Sequence, residues 1–69
     1  MAKAKRFLKE YARFITVPGF DSFNGEVMHI VSMCERGFIS NDEAMRLLVH
    51  EKEFLHGKTD EQYRIERGI

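Results

Sequence analysis

The sequence predicts an all-α fold, a small domain of three helices followed by a short C-terminal helix. Apolar residues recur at spacings of three and four in three long segments, which is the period of an amphipathic helix. Glycines and helix-capping residues separate these segments, and no stretch of useful length alternates between apolar and polar residues as a strand does. We therefore predict one domain over residues 1–69, with helices at about 3–16, 22–36, 41–56 and 60–67.

The first helix is predicted from an apolar stripe with lysines and arginines on its other side. Pro18 disfavours helical geometry at Val17, and Gly19 allows the chain to turn, so the helix ends just before them. Its aromatic residues share the apolar face, which predicts a place in the core for them. The stripe consists of Ala4, Phe7, Leu8, Tyr11, Phe14 and Ile15.

The second helix is predicted to begin near a cluster of short polar residues, since Asp21, Ser22 or Asn24 can each cap a helix N-terminus. Gly37 ends it, because a left-handed backbone conformation favours glycine. Its predicted buried stripe is Phe23, Val27, Ile30, Val31 and Cys34.

The third and fourth helices are predicted from two capping boxes. Ser40 and Glu43 form the first box, and Thr59 and Gln62 form the second. Gly57 separates the two helices. The buried side of the third helix is predicted to contain Ala44, Leu47, Leu48, Val49, Phe54 and Leu55.

A chain of 69 residues buries only about 60% of its unfolded surface, which leaves a small margin of stability. Cys34 is the single cysteine, so an internal disulfide cannot supplement the core, and no zinc-binding spacing is present. A homo-oligomer, most simply a homodimer, or a complex with another protein is the expected remedy. We find no secretory signal and no apolar run of the roughly 20 residues that span a membrane, which predicts a cytoplasmic protein without a membrane partner.

The charges balance overall but are unevenly distributed along the chain. Residues 1–18 contain five basic residues and one acidic residue, a net charge of +4, whereas residues 19–57 contain three basic and seven acidic residues, a net charge of −4. This asymmetry predicts a basic arm on an acidic body, or two halves that attract each other within the fold.

The pattern Glu-x-x-His occurs twice, at Glu26 and His29 and at Glu53 and His56. In di-iron helical bundles this spacing places a carboxylate and an imidazole on one inward face. A hairpin centred near Phe38 would leave the two motifs about 7 Å out of level, so we predict no metal site and no cofactor.

No catalytic arrangement is evident from the sequence. Cys34 lies within the apolar stripe, with His29 as its nearest histidine in the sequence, and we expect a buried, unreactive thiol there. Neither a Ser-His-Asp arrangement nor a phosphate-binding glycine loop is present. We predict that the protein is not an enzyme.

Nucleic-acid binding is the main alternative function. The first helix interleaves cations with aromatic residues, a composition that can contact phosphates and stack on bases. The candidate nucleic-acid-binding residues are Lys3, Lys5, Arg6, Lys9 and Arg13. The segment "FISNDEAMRLL", residues 38–48, resembles the first helix of an excisionase or MerR-type DNA-binding domain, but an acidic continuation stands where that family has a basic recognition helix.

The segment "MHIVSMCERGFISNDEAMRLL", residues 28–48, resembles short helical oligomerisation modules of the SHOCT kind. It follows their pattern of an apolar helix, a glycine turn with Ile and Ser, an acidic residue and a second apolar helix. The resemblance implies self-association or docking. The matching residues are Gly37, Ile39, Ser40, Glu43, Leu47 and Leu48.

Together these features predict a small non-enzymatic regulatory or adaptor protein that binds another protein, such as an accessory or inhibitory factor of a phage or other mobile element. Methionines and phenylalanines make adaptable apolar contact surfaces. The residues that would supply such a surface are Met28, Met33 and Met45 with Phe20, Phe23 and Phe38. Within that set, the predicted partner-binding residues are Phe20, Met28, Phe38 and Met45.

Overall fold

The computed structural model describes the backbone of residues 2–68 and the side chains of residues 7–68. It contains four helices in this part of the chain: α1 (Ala2–Ile15), α2 (Asp21–Glu35), α3 (Asn41–Leu55) and α4 (Asp60–Arg67). The predicted all-α fold is confirmed, and every predicted helix boundary lies within one residue of the observed one. None of the described helices is both long and apolar enough to cross a membrane.

The order of the helices in space follows from the α2–α3 hairpin. Gly37, with φ of 84°, turns the chain between these helices in the predicted left-handed conformation. Lys9, near the middle of α1, forms an ion pair of 2.7 Å with Glu35 at the end of α2, and α1 packs against both α2 and α3. The short helix α4 packs against α2 and α3 but makes no contact with described residues of α1.

The core lies between α1, α2 and α3, and α4 adds one large side chain to it. All five residues predicted for the α2 stripe are buried, which confirms that stripe. The buried apolar residues are Leu8, Ala12, Ile15, Phe23, Val27, Ile30, Val31, Cys34, Ala44, Leu48 and Tyr63.

The predicted burial of the α1 aromatic residues is wrong for two of them. Phe7 is 58% exposed and Phe14 is 75% exposed, although Leu8 and Ile15 beside them are buried. The side chains that point into the core follow the line through Leu8, Ala12 and Ile15, and Phe7 and Phe14 lie roughly 100° around the helix from that line. Val49 in α3 is also exposed rather than buried.

The helix caps differ in part from the prediction. The hydroxyl of Ser40 accepts a hydrogen bond of 3.1 Å from the Glu43 amide, so α3 has the first of the two bonds of a capping box. Thr59 and Gln62 form both bonds of their box at the start of α4.

The predicted cap of α2 is wrong, because no local side chain supplies it. Phe20 occupies the N-cap position without a side-chain hydrogen bond. Instead, the Asp60 carboxylate accepts hydrogen bonds from the backbone amides of Ser22, at 3.4 Å, and Phe23, at 3.2 Å. An acidic group at the N-terminus of a helix is favourable, and here it joins the start of α4 to the start of α2.

Candidate functional site: an open aromatic face between two helices

Exposed aromatic side chains lie along α1 near its contact with α3. On α1, Phe7, Tyr11 and Phe14 recur at spacings of four and three, so they form one line along the helix. This line flanks the buried stripe on the side that faces α3. We call the surface the α1–α3 face, which comprises Phe7, Tyr11, Phe14, Met45, Val49, Lys52, Glu53 and His56.

Two shallow depressions, both open to solvent, shape this face. One has a volume of about 420 Å³ and is lined by Tyr11, Val49, Lys52, Glu53 and His56. The other has a volume of about 300 Å³ and is lined by Met45, Arg46, Val49, His50 and Glu53. Val49 and Glu53 line both depressions, so they form a ridge between them, one helical turn apart.

Two contacts involve the rings of the aromatic line, one within α1 and one between α1 and α3. The Tyr11 and Phe14 ring centroids are 6.5 Å apart at an interplanar angle of 31°. From α3, the Lys52 ammonium lies 5.5 Å from the centroid of the Phe14 ring, a distance at which a cation and an aromatic ring attract each other. Phe14 is therefore oriented although most of its surface is exposed.

The charges around the α1–α3 face are of both signs. The two depressions are lined by Arg46 and Lys52 and by one carboxylate, that of Glu53. Among the residues of α1 and α3 whose side chains are described, four are basic and five are acidic.

The predicted partner-binding residues lie on separate elements. Met28 in α2 is 48% exposed, and Phe38 in the hairpin turn is 72% exposed. Phe20 and Met45 are half-buried and pack against the core. Of the four, Met45 lines a depression of the α1–α3 face. The wider predicted surface is wrong at Phe23, which is fully buried.

The predicted nucleic-acid-binding residues are described only in part. The side chains of Lys3, Lys5 and Arg6 lie outside the described residues. Lys9 is paired with Glu35, and Arg13 is exposed near the end of α1.

A buried polar cluster between α3 and α4 was not foreseen from the sequence. Glu51 is 5% exposed, and its carboxylate accepts hydrogen bonds from the Tyr63 hydroxyl, at 3.0 Å, and from Arg67, at 2.5 Å. Burial, and then the hydrogen bond to the Glu51 carboxylate, raise the pKa of Tyr63 above its ordinary value. The sequence contains an indication that Glu51 is buried. This residue falls three positions after Leu48 and four before Leu55, within the predicted apolar stripe of the third helix.

This cluster is structural, because its carboxylate and its phenol are buried and Arg67 covers them from the solvent side. The Tyr63 ring is fully buried and meets the rings of Phe23 and Phe54 edge to face, at 5.6 and 5.8 Å. The guanidinium of Arg67 covers the Phe54 ring at 4.3 Å.

The remaining candidates for chemistry show no assembled site within the described part of the chain. His29 and His56 of the two Glu-x-x-His motifs are exposed, and residues 7–68 contain no group of three or more potential ligands placed to hold a metal ion. Cys34 is buried, as predicted, and its thiol donates a hydrogen bond of 2.9 Å to the Asn41 side-chain oxygen.

Comparison with known proteins assigns no class. No family model matches the chain, and neither the curated proteins nor the solved structures include a significant match. The resemblances to SHOCT-like modules and to excisionase or MerR-type domains therefore stay predictions.

Proposed function

We propose that this chain is a small, non-enzymatic regulatory or adaptor protein that acts by binding another protein through the α1–α3 face. The observation that carries the proposal is the exposure of Phe7 and Phe14, which lie along α1 in line with Tyr11. Tyr11 and Val49 line the depression of about 420 Å³ beside them. Aromatic side chains at the centre of an interface supply much of the binding free energy. Contiguous apolar patches are uncommon on monomers unless they are functional.

The test is affinity purification from cells that naturally make the protein, followed by mass spectrometry and by binding measurements with each purified candidate partner. The baits are the wild-type protein, the double variant Phe7→Ala/Phe14→Ala and the control Ile65→Ala, which truncates an exposed apolar side chain on α4. We expect a partner that the double variant binds at least roughly tenfold more weakly, while the control binds it normally. A partner that is bound equally well by all three baits would refute the assignment of this face.

Nucleic-acid binding is a second candidate, and one observation favours it. Phe7 and Phe14 were expected in the core, but they are exposed on the basic helix α1, where they could stack on bases. In this case wild-type protein would bind a mixed oligonucleotide pool with an affinity that falls steeply with salt. A variant with Lys3, Lys5, Arg6 and Lys9 replaced by glutamine would lose that binding. The protein-binding proposal instead predicts no such binding at micromolar concentration near physiological salt.

Self-association, a cytoplasmic location and an origin in a phage or other mobile element stay predictions. Light scattering over a range of concentrations tests the first of them. A mass of one chain at hundreds of micromolar would exclude the homodimer.

A further inference from the structure

We propose that the outer side of α3 is a self-association surface, on which a second copy of this chain packs its own α3 in the antiparallel direction. In this contact Arg46 of each copy lies opposite Glu53 of the other copy. The inference goes beyond the proposed function, which depends on the aromatic line of α1. It follows from two exposed charges on one line of α3 and from the symmetry of a dimer.

Arg46 and Glu53 lie on the side of α3 that faces solvent. The buried residues of this helix are Ala44, Leu48 and Glu51, whereas Arg46 and Glu53 are exposed and line the same depression. Seven residues of a helix cover about two turns, so the two side chains point in directions within about 20° of each other and lie about 10.5 Å apart along the axis. They form one line with a cation near one end and an anion near the other.

Neither charge is neutralised within the described chain. The ion pairs between described side chains involve other residues, and none of the described hydrogen bonds includes the side chain of Arg46 or Glu53. Both charges are therefore available to a partner. A uniformly acidic partner helix would be repelled by Glu53, and a uniformly basic one would be repelled by Arg46.

An antiparallel copy of α3 carries the two charges in the opposite order, so it matches the line at both ends. If residue i of one copy contacts residue j of the other, two-fold symmetry repeats the contact with the two copies exchanged. A two-fold axis between Val49 and His50 therefore forms two equivalent contacts between Arg46 and Glu53. The same axis places Val49, which is 39% exposed, against His50 of the second copy. Complementary charge fixes the register of such a contact.

The other direction of packing is unfavourable. A parallel pair of α3 helices brings each charge against the same charge of the second copy. In the antiparallel register Asp42, one turn before Arg46 on the same line, lies opposite Gly57 and meets no like charge. The net charge of the chain is zero, so two copies do not repel each other at long range. One helix of 15 residues makes a small contact, so we expect a reversible dimer that forms at high concentration.

The experiment reverses the two charges singly and then mixes the products. Sedimentation equilibrium measures the mass of wild type, Arg46→Glu and Glu53→Arg from about 10 μM to about 1 mM, and then the mass of an equimolar mixture of the two variants. The double variant Arg46→Glu/Glu53→Arg exchanges the charges. The controls Arg64→Glu and Glu61→Arg make the same reversals at exposed positions of α4. Thermal unfolding verifies that each variant is folded.

We expect wild type to approach the mass of two chains at the highest concentrations. Each single variant should associate at least roughly tenfold more weakly, because it brings like charges together at both contacts. The equimolar mixture should regain association, since one variant then supplies two acidic side chains and the other supplies two basic ones. The double variant and both controls should associate as wild type does.

Three results would overturn the inference: wild type that keeps the mass of one chain over the whole range, single variants that associate as wild type does, or a mixture that associates no better than its components. Association that is lost in Phe7→Ala/Phe14→Ala would also contradict it, because the contact would then lie on the aromatic line. Failure here is distinguishable from failure of the proposed function, since partner binding is tested through Phe7 and Phe14 and self-association through Arg46 and Glu53.

Discussion

The molecule contains two aromatic clusters of three rings each, and their environments are opposite. Phe23, Phe54 and Tyr63 meet edge to face between α2, α3 and α4, where Tyr63 is fully buried. Phe7, Tyr11 and Phe14 lie along α1, where both phenylalanines are exposed. We call the first the closed cluster and the second the open cluster.

The difference between the two clusters comes from α4. This helix lies against α2 and α3, so the closed cluster has a helix above it, with Arg67 and Lys58 over the Phe54 ring. The described chain has no corresponding helix against α1 and α3. The open cluster is therefore exposed, whereas α4 covers the closed cluster.

The largest expected effect is a difference in unfolding free energy between the same substitution, phenylalanine to alanine, made in each cluster. Phe23→Ala should cost about 3–5 kcal/mol of unfolding free energy, because it leaves a cavity in the core. Phe14→Ala should change it by less than about 0.5 kcal/mol, because the ring is mostly exposed. Urea denaturation measures both. A loss above about 1.5 kcal/mol for Phe14→Ala would mean that the open cluster contributes to the fold of the monomer.

A second variant breaks the polar contact of the closed cluster and leaves its packing unchanged. Tyr63→Phe removes the hydroxyl that donates to Glu51 and leaves this buried carboxylate with Arg67 alone. We expect a loss of about 1–3 kcal/mol, the cost of an unsatisfied buried group. Tyr11→Phe in the open cluster is the matched control and should have an effect below about 0.5 kcal/mol. Equal effects of the two changes would show that the Glu51 contact adds nothing to stability.

Alkaline pH provides a third way to compare the clusters. Burial and the Glu51 carboxylate raise the pKa of Tyr63 above its ordinary value of about 10. Above that pH the unfolded chain releases a proton that the folded chain keeps, so stability falls as pH rises. The slope from this group approaches about 1.4 kcal/mol per pH unit. Denaturation midpoints from pH 8 to about 11 should fall less steeply for Tyr63→Phe than for wild type. Identical slopes would contradict the raised pKa.

The helices could be predicted from the sequence because their determinants are local. The turn at Gly37 and the capping box at Thr59 each depend on a few neighbouring residues. Every residue of the apolar stripe predicted for α2 is buried. The cap of α2 could not be predicted in this way, because Asp60 supplies it from another helix.

The candidate site could be predicted only in part, for a related reason. Periodicity shows that Phe7, Leu8, Phe14 and Ile15 share one side of α1, but it does not show how wide a stripe the neighbouring helices cover. In the structure, Ala12 is fully buried where α1 packs against its neighbours. The part of α1 that these helices cover is narrow enough to leave both phenylalanines exposed. The width of the stripe depends on where α3 packs, which is a property of the whole fold.

The smallest expected effect tests whether the closed cluster belongs to the same cooperative unit as the rest of the chain. Thr59→Ala removes the side-chain cap of α4, and Ser40→Ala removes that of α3, so each should cost about 1 kcal/mol. This equality holds only if α4 unfolds together with α3, as the buried contact between Glu51 and Tyr63 leads us to expect. If α4 opened separately, Thr59→Ala would leave the global midpoint unchanged and would instead accelerate amide exchange within residues 60–67. Denaturation of both variants, with hydrogen exchange as the second measurement, therefore decides whether α4 is a fixed part of the fold or a detachable cover over the closed cluster.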